Sequence, residues 1–468
     1  MIIGNERRTS PQTAVIRAPW DGAEVGRHPL GSAADMEAAV AANVAAAEPC
    51  RRMSAFDRAA CLRRVAEALR ARREEFATLL AKEAGKPVTQ AYTEIDRALF
   101  VLADGAEEAT RIGGEVIPLD VLPAGVGRLG LTRRFPLSPI AAITPFNFPV
   151  MLALHKVAPA MACGASLTLK PPPQDPLTTE LLGELIAESG YPAGGVNVVP
   201  CELQVAQRLV ADERVRMISF TGSAKAGWAI RAQAGTKRVA LELGGNAGVI
   251  VEPDADLGRA ADRCATGGYG YAGQSCISVQ RILVHRSVYD EFLRRYVSRV
   301  AKLRTGDPLD PATEVGPMIS EDAAQRAERW IRDAVRDGAR VETGGTRERA
   351  VLQPTVLTAT RPDQPVNCEE VFAPVTTVTP YASFEEAAAA VNASAFGLQA
   401  GVFTREVRTL MRAWDLLDVG GVMGNDIPSF RVDRMPYGGA KASGLGREGV
   451  RYAILEMTEP RLLTIQTD

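Results

Sequence analysis

Long apolar runs are missing from this sequence of 468 residues. A helix needs roughly 18 or more consecutive apolar residues to span a bilayer, and no such run occurs. We therefore expect no transmembrane helix and no membrane partner. The chain begins with the polar stretch MIIGNERRTS, which lacks the apolar centre of a signal peptide, so we also expect no secretory leader.

Metal-ligand and disulfide patterns are missing as well. The three histidines, His28, His155 and His285, do not lie at metal-ligand spacing, so no metal site is expected. The seven cysteines are an odd number and include no CxxC pair, which argues against a disulfide framework and against a zinc site. Free thiols are typical of a reducing compartment, so we expect a cytoplasmic protein.

An excess of charge of either sign is the third missing feature. The net charge is −2, so the chain lacks the basic field that a nucleic acid partner requires. Hydrophobic residues make up 46% and charged residues 24%, a composition typical of globular proteins. A chain of 468 residues is too long for one core, so we expect two or three domains.

Strands and helices alternate from Pro139 onward. Buried strands such as PIAAIT and ASLTLK are each followed by a helical segment, which predicts a parallel sheet with right-handed crossovers. A second α/β unit begins after Gly245. Residues 115–136 differ, because EVIPLDVL and RLGLTRRF predict a hairpin around PAG. Such a hairpin needs cover, which a partner subunit can supply.

One cysteine lies in a setting suited to catalysis. Cys276, in GYGYAGQSCISVQRILVH, is surrounded by small residues that leave room for a substrate carbon to approach the sulfur. A thiolate is a strong nucleophile, and main-chain N–H groups of such a loop can polarise a carbonyl. The alternative is that Cys276 is a small buried hydrophobic residue, as most free cysteines are.

Two polar residues at strand ends supply what a cysteine nucleophile needs. Asn147 follows a buried strand and offers an amide to a tetrahedral oxyanion, together with the N–H of Cys276. Glu242 lies in the apolar run LELGG, where burial raises a carboxyl pKa and suits it to be a general base. The alternatives are an Asx turn for Asn147 and an ion-paired carboxylate for Glu242.

A nucleotide site is indicated only weakly by the residues themselves. No strand–GxGxxG–helix fingerprint occurs. In SFTGSAKAG a strand runs into a helix at Gly222, and the N–H groups of that helix start can hold a pyrophosphate. Lys170 closes a strand and can reach a ribose hydroxyl. The alternatives are an ordinary helix cap and a solvated lysine.

Taken together, these segments resemble the aldehyde dehydrogenase superfamily over nearly the whole chain. The resemblance rests on seven motifs in the order typical of the family: TPFNFP (144–149), LKP (169–171), FTGS (220–223), LELGG (241–245), GQSC (273–276), EEVFAPV (369–375) and PYGGAKASGLGREG (436–449). It implies oxidation of an aldehyde to a carboxylic acid with NAD or NADP.

The resemblance also implies a fold and an assembly. The fold is α/β, with a Rossmann-like parallel-sheet cofactor domain, a second α/β catalytic domain and a small β oligomerisation hairpin. The corresponding residues are 1–114 and 137–242 for the cofactor-binding domain, 243–435 for the catalytic domain, and 115–136 with 454–468 for the oligomerisation segment. A homodimer or a homotetramer is expected.

Residue roles follow from the same resemblance. Cys276 is the nucleophile, Asn147 the oxyanion donor and Glu242 the base that activates the deacylating water, while Lys156 and Glu448 support proton relay. The expected cofactor-binding residues are Thr144, Pro145, Phe146, Lys170, Pro173, Phe220, Gly222, Ser223, Gly244, Glu370 and Phe372. The expected substrate pocket consists of Phe148, His155, Ser275, Ile277, Tyr437 and Arg97, with Phe148, Ile277 and Tyr437 as apolar walls.

The sequence departs from the common family pattern at the cofactor and at the substrate. Pro173 replaces a glutamate that often holds the adenosine ribose, which permits NADP as well as NAD. His155 replaces a frequent tryptophan, and NFPVMLALHKVAP is similar to a branch that acts on lactaldehyde, glyceraldehyde-3-phosphate and phosphonoacetaldehyde. We therefore expect a small, polar or acidic aldehyde. Arg97 is a candidate for holding a substrate anion, or else a structural ion pair.

Two rival functions stay open at this point. In the first, coenzyme A accepts the acyl group in place of water, as in acylating semialdehyde dehydrogenases. Glu242 argues against it, because such enzymes often lack that base. In the second, the chain is a catalytically silent binding or structural homologue, against which the joint presence of Cys276, Asn147 and Glu242 argues.

Overall fold

The computed structural model describes residues 1–467. Its α-helices are α1 (Ala33–Arg52), α2 (Ala55–Ala71), α3 (Arg73–Ala84), α4 (Val88–Glu108), α5 (Pro149–Cys163), α6 (Leu177–Ala187), α7 (Leu203–Ala211), α8 (Ala224–Gln233), α9 (Leu257–Tyr269), α10 (Tyr289–Val300), α11 (Glu321–Arg336), α12 (Pro365–Cys368), α13 (Phe384–Asn392), α14 (Val407–Leu416) and α15 (Val450–Glu456). None of the helices among these residues is long and apolar enough to cross a membrane.

The strands are mostly short. They are β1 (Ile2–Ile3), β2 (Glu6–Arg7), β3 (Thr13–Arg17), β4 (Glu24–Pro29), β5 (Val116–Pro118), β6 (Arg128–Pro136), β7 (Ile140–Ile143), β8 (Leu167–Lys170), β9 (Val196–Val198), β10 (Met217–Thr221), β11 (Arg238–Glu242), β12 (Ala247–Val251), β13 (Val279–His285), β14 (Arg340–Thr343), β15 (Arg347–Glu348), β16 (Val351–Leu352), β17 (Thr355–Thr358), β18 (Val375–Tyr381), β19 (Phe396–Gly397), β20 (Gln399–Phe403), β21 (Gly421–Gly424), β22 (Ala440–Lys441), β23 (Gly444–Leu445) and β24 (Thr458–Gln466).

The first large sheet has the order β2-β1-β9-β8-β7-β10-β11-β23. Strands β9, β8, β7, β10 and β11 are parallel, as the alternation of strands and helices predicts. The added edges, β1 and β23, are antiparallel. Helix α5 packs between this sheet and α4, and all of its residues are buried because its sequence is almost entirely apolar.

The second large sheet has the order β14-β17-β18-β13-β12-β20-β21. Its strands are parallel except for β14 at the edge. Strand β12 is buried at every position, as expected for a central strand covered on both faces. Because β12 begins soon after β11 ends, the two sheets meet around residues 242–247.

A third, antiparallel sheet has the order β24-β6-β5. The predicted hairpin is confirmed, with a 3₁₀ turn at Pro123–Gly125 between β5 and β6. The last strand, β24, pairs with β6 along nine residue positions from Thr458 opposite Pro136 to Gln466 opposite Arg128. The hairpin and the last strand, which the resemblance assigns to one segment, therefore belong to one sheet.

The active-site motifs share one edge of the first sheet. Strands β7, β8, β10 and β11 end at Ile143, Lys170, Thr221 and Glu242, and they run in the same direction. Ligands of open parallel sheets bind at these carboxyl ends. The loop of Cys276 approaches from the second unit, between α9 and β13.

Candidate active site

A cavity of about 450 Å³ lies where the two sheets meet. Residues from both units line it. Those that the sequence had singled out are Arg97, Pro145, Phe146, Asn147, Phe148, Gly222, Ser223, Glu242, Gly244, Ser275, Cys276, Ile277, Glu370, Phe372, Tyr437 and Glu448. The three candidate catalytic residues therefore share one space, although 95 positions separate Asn147 from Glu242 and 34 separate Glu242 from Cys276 in the chain.

The loop of Cys276 is held in an uncommon backbone conformation. Tyr271 and Ala272 have φ angles of 47° and 52°, and Gly273 has 69°. Left-handed non-glycine residues cost about 1–3 kcal/mol each and occur where the surrounding structure enforces them. A Cβ on Gly273 would lie 2.1 Å from the main-chain oxygen of Ala373, so only glycine fits there. These turns bring Cys276 to the cavity wall.

The Cys276 thiol is half-buried and has one polar neighbour. Its Sγ lies 2.9 Å from the hydroxyl oxygen of Tyr437. Burial raises the pKa of Cys276 to about 11, and the hydrogen bond with Tyr437 opposes that rise. The thiol form therefore dominates at neutral pH in the absence of ligands.

Asn147 presents its side-chain amide next to the cysteine loop. Its Nδ2 donates to the main-chain oxygen of Gln274 at 3.1 Å, which ties the amide to the residue two before the thiol. The buried Oδ1 has no hydrogen-bond partner among residues 1–467. The second N–H of this amide is available to the oxyanion that forms on the carbonyl oxygen when the sulfur attacks the carbonyl carbon.

Glu242 is a buried carboxyl at the end of β11. Its Oε2 has no hydrogen-bond partner within the described residues. Burial raises the pKa of Glu242 well above the ordinary value, and the negative charge of Glu448 raises it further. A carboxyl with a raised pKa and a free oxygen is suited to taking a proton from water near neutral pH.

Lys156 and Glu448 lie behind Glu242 and contact each other. Lys156 Nζ lies 3.4 Å from Glu448 Oε1 and donates to Ser219 Oγ at 3.1 Å. Arg431 Nη2 donates to the other oxygen of Glu448 at 3.2 Å. Despite its burial, the pKa of Glu448 is lowered by the positive charges of Lys156 and its other neighbours, so its carboxylate stays ionised.

The cofactor side of the cavity is built from small residues and one carboxylate. Ser223 caps helix α8 by accepting a hydrogen bond from the N–H of Ala226 at 3.3 Å. Glu370 accepts from the N–H of Gly245 at 3.1 Å, and burial raises its pKa to about 7. A Cβ on Gly244 would lie 2.3 Å from Glu370 Oε2, so this close approach requires glycine. Such a cradle of main-chain groups at a helix start fits a dinucleotide.

Four predicted cofactor residues lie outside the cavity lining. Phe220 packs beneath Gly222, where a Cβ would meet its ring at 2.6 Å. Thr144 is buried and its N–H donates to the main-chain oxygen of Lys170 at 3.3 Å. Burial lowers the pKa of Lys170. Pro173 is exposed beyond the end of β8.

The predicted substrate pocket needs two corrections. His155 does not line the cavity; its Nε2 lies behind the wall, 3.0 Å from Asp433 Oδ1 and 3.1 Å from Arg431 Nη2. Burial and the charge of Arg431 lower the pKa of His155, so the imidazole is neutral. Tyr437 is not simply an apolar wall, because its hydroxyl contacts the sulfur.

Arg97 makes the structural ion pair that was one of its two interpretations, and its role in holding a substrate anion stays a prediction. It lines the cavity and also makes a two-point ion pair with Asp433, Nε to Oδ2 at 2.9 Å and Nη2 to Oδ1 at 2.7 Å. Asp433 also contacts Arg431, whose Nε lies 3.3 Å from Oδ1. Despite its burial, the pKa of Asp433 is lowered by its hydrogen bonds with His155 and Arg97.

Sequence reasoning missed several residues of the cavity wall, three of which are aromatic or cationic. Arg431 reaches it from a loop between β21 and β22, Tyr271 from the strained turn, and Arg326 from α11, where its guanidinium packs over Trp330. No periodic pattern or spacing marks a loop arginine such as Arg431.

Within residues 1–467, no group of His, Cys, Asp or Glu is arranged to hold a metal ion.

Comparisons with known proteins agree with this geometry. The model named "Aldehyde dehydrogenase family" matches residues 6–463. A 3-sulfolactaldehyde dehydrogenase of Priestia aryabhattai is 42% identical over 413 residues, which cover 88% of this chain and 87% of that protein.

Solved structures are similar over the whole length. Aldehyde dehydrogenase 21 from Physcomitrella patens, in complex with the reaction product succinate, has a TM-score of 0.98 at 38% identity and covers 100% of this chain and 98% of its own. The glyceraldehyde-3-phosphate dehydrogenase GapN from Methanocaldococcus jannaschii, complexed with NADP, has a TM-score of 0.94 at 36% identity. The match covers 98% of this chain and 100% of GapN.

The family match and these identities extend across both α/β units, so they concern the whole enzyme and not a shared cofactor domain. Aldehyde oxidation with NAD or NADP follows from them, as does the α/β architecture that the motifs implied. This chain belongs to the aldehyde dehydrogenase family.

Proposed function

We propose that this enzyme oxidises a small aldehyde that carries an anionic group, a carboxylate or a sulfonate, a few bonds from the aldehyde carbon. The observation that carries the proposal is the pair of guanidinium groups, Arg97 and Arg431, in the wall of the cavity that contains Cys276. Guanidinium groups bind such oxyanions through paired, charge-assisted hydrogen bonds.

The charge balance of the ion-pair cluster around Arg97 and Arg431 favours an anion. Lys156, Arg97 and Arg431 are three cations, and they face two ionised carboxylates, Asp433 and Glu448. Glu242 has a raised pKa and adds no full negative charge near neutral pH. One positive charge is left, and a substrate anion can neutralise it.

Relatives with similar sequence or structure point the same way. The names of three of them refer to a sulfonated aldehyde, to succinate and to a phosphorylated aldehyde. Each of these molecules is small and anionic. Ser275 and Ile277 flank the nucleophile with small and apolar surface, which leaves the guanidinium groups as the recognition element.

The proposed mechanism uses three side chains. Cys276 Sγ attacks the aldehyde carbon, and the Asn147 amide and the Cys276 N–H donate to the oxyanion. Bound NAD or NADP supplies the hydride acceptor, after which the acyl group is a thioester on Cys276. Glu242 then takes a proton from the water that attacks the thioester carbon, and Cys276 leaves as the thiolate while the carboxylic acid forms.

The remaining roles are proposals of the same kind. Gly222 and Ser223 would hold the pyrophosphate, Lys170 the adenosine ribose and Glu370 the nicotinamide ribose, with Phe372 beside the ring. We assign cofactor binding to 1–114 and 137–242 and catalysis to 243–435. The three-stranded sheet, 115–136 with 454–468, would join subunits into a dimer or tetramer. Seven free thiols favour a cytoplasmic enzyme.

A substrate panel tests the proposal. Aldehydes of similar size that are neutral, carboxylated, sulfonated or phosphorylated are assayed with NAD and with NADP, with and without coenzyme A. We expect kcat/KM to be at least about tenfold higher for an anionic aldehyde, as expected for one charge-assisted contact. Arg97→Met should remove this preference while leaving the neutral aldehyde rate nearly unchanged. An equal preference for neutral aldehydes would refute the substrate class.

A further inference from the structure

Tyr437 is the only side chain within the described residues whose polar atom contacts the Cys276 sulfur. Its hydroxyl oxygen lies 2.9 Å from Sγ and has no other hydrogen-bond partner in residues 1–467. The ring is buried. A buried phenol normally finds a polar partner, and here that partner is the reacting atom itself.

Two sets of contacts fix the position of the phenol. The main chain of Tyr437 pairs with Glu448 in both directions, N–H to O at 3.1 Å and back at 2.6 Å. On one face of the ring, the guanidinium carbon of Arg431 lies 3.6 Å from the ring centre. The other apolar contacts are with Ile277 and Leu398, beside the thiol. The hydroxyl therefore points at the sulfur because its surroundings leave it little freedom.

The direction of this hydrogen bond follows from the chemistry of the two groups. A thiolate has no proton to give, so it can only accept. Burial and the neighbouring Cys276 raise the pKa of Tyr437 well above its ordinary value, so the phenol keeps its proton whenever the sulfur has lost its own. A cation over the ring face withdraws electron density from it, which makes the O–H a better donor.

We propose that Tyr437 is a further catalytic residue of this enzyme, which donates its O–H to the Cys276 sulfur and stabilises the thiolate that attacks the aldehyde. The inference rests on the proposed role of Cys276 as the nucleophile and extends it. In the step concerned, the S–H bond breaks, the proton goes to solvent, and both electrons stay on the sulfur. The O–H···S hydrogen bond becomes charge-assisted and therefore stronger.

Alkylation of Cys276 by iodoacetamide measures thiolate formation directly. The full-length enzyme without added cofactor is alkylated across a range of pH, and the modified peptide is identified by mass spectrometry. In Tyr437→Phe, the midpoint of the rate against pH should rise by about one to two pH units, as expected for loss of a hydrogen bond to a charged group. At a pH below both midpoints, alkylation of Tyr437→Phe should be about 10 to 100 times slower than alkylation of the wild type.

Two further variants serve as controls. Tyr269→Phe removes an equally buried hydroxyl, which contacts Thr355 and Thr376 and not the sulfur, and its midpoint should match the wild type. Replacing Tyr437 by 3-fluorotyrosine keeps the ring and makes the phenol a stronger donor, so the midpoint should fall. This second variant also tests the proposal if Tyr437→Phe does not fold.

The outcomes separate this inference from the proposed function. If complete alkylation of Cys276 left dehydrogenase activity intact, Cys276 would not be the nucleophile and the proposed mechanism would fail. If alkylation abolished activity but the midpoint of Tyr437→Phe were unchanged or lower, the nucleophile would stand and the role of Tyr437 would be refuted. An unchanged midpoint in the fluorotyrosine variant would refute that role as well.

Discussion

The ammonium of Lys86 donates a hydrogen bond to the main-chain oxygen of Asn147 at 2.7 Å. Lys86 is fully buried and pairs with Glu94, which also accepts the N–H groups of Val150 and Met151 at the start of α5. Its ammonium lies 3.9 Å from the centre of the Phe148 ring. One buried ion pair thus holds both the loop of the oxyanion donor and the helix that follows it.

Lys86→Met should destabilise the enzyme strongly. The change leaves the Glu94 carboxylate buried without its cation, and breaking a buried pair in this way costs about 3–5 kcal/mol. Lys82→Met, at an exposed position in the last turn of α3, is the matched control. Thermal unfolding should show a clear loss only for Lys86→Met, and the double variant Lys86→Met with Glu94→Leu should recover part of it. Equal midpoints for the two lysine variants would contradict this role.

Motifs at strand ends were accessible to sequence reasoning for a physical reason. Asn147 and Glu242 each follow a short apolar run, and parallel strands carry such residues to a common edge, so the alternation of strands and helices was sufficient to bring them together. In the sequence, only the glycines and the alanine before Cys276 indicated the strained turn. Its contact with Asn147 depends on how two separate units pack.

Contacts made by loop residues could not be predicted from the alternation of strands and helices. Arg431 lies in an irregular segment without period or turn signal, and its partner His155 is 276 positions away. Tyr437 was expected in the substrate pocket and lines the cavity, but the direction of its hydroxyl depends on a main-chain pairing with Glu448 that no local pattern reveals. His155 was expected to face the substrate, yet Asp433 and Arg431 hold it behind the wall.

Asn147→Ala should lower kcat by about 10² to 10³, as removal of one preorganised oxyanion donor does in other enzymes. The amide contacts the main chain only through Gln274, so the fold and the cofactor affinity should change little. Steady-state rates and NAD(P)H fluorescence titrations check the two expectations. A parallel loss of cofactor affinity would instead indicate collapse of the loop.

Glu242→Gln should slow deacylation and leave the earlier steps fast. The amide keeps the size of the carboxyl but cannot take a proton from water. A rapid-mixing experiment should show a burst of NAD(P)H close to one equivalent per active site, followed by a low steady rate. Unchanged turnover without a burst would remove Glu242 from the proposed role.

The pH dependence of deacylation should move when Glu448 loses its charge. Glu242 is active when ionised, so the steady rate rises as pH rises through its raised pKa. Glu448→Gln removes a negative charge that raises that pKa and leaves Arg431 and Lys156 nearby, so the acid limb should shift to lower pH. Glu459→Gln, remote from the cavity, should not shift it. A shift to higher pH would show that the wall reorganises in the variant.

The third sheet has one apolar face exposed in the monomer. Leu463 pairs with Leu131, which pairs with Val116 on its other side, and Ile465 pairs with Leu129. Residues directly opposite and two apart share a face of a sheet, so these five side chains form a single apolar surface. Val116 is 71% and Leu463 56% exposed, which is unfavourable unless a second subunit covers the surface.

Leu463→Glu should therefore weaken subunit association. Burying an unpaired carboxylate in an apolar interface is strongly unfavourable, so light scattering at micromolar concentration should show a shift from dimer or tetramer toward monomer. Leu462→Glu is a matched control, because Leu462 is 59% exposed and faces the opposite side of the same strand. A wild-type enzyme that is already monomeric would refute the proposed assembly, and equal dissociation by both variants would place the interface on the strand edge and not on this face.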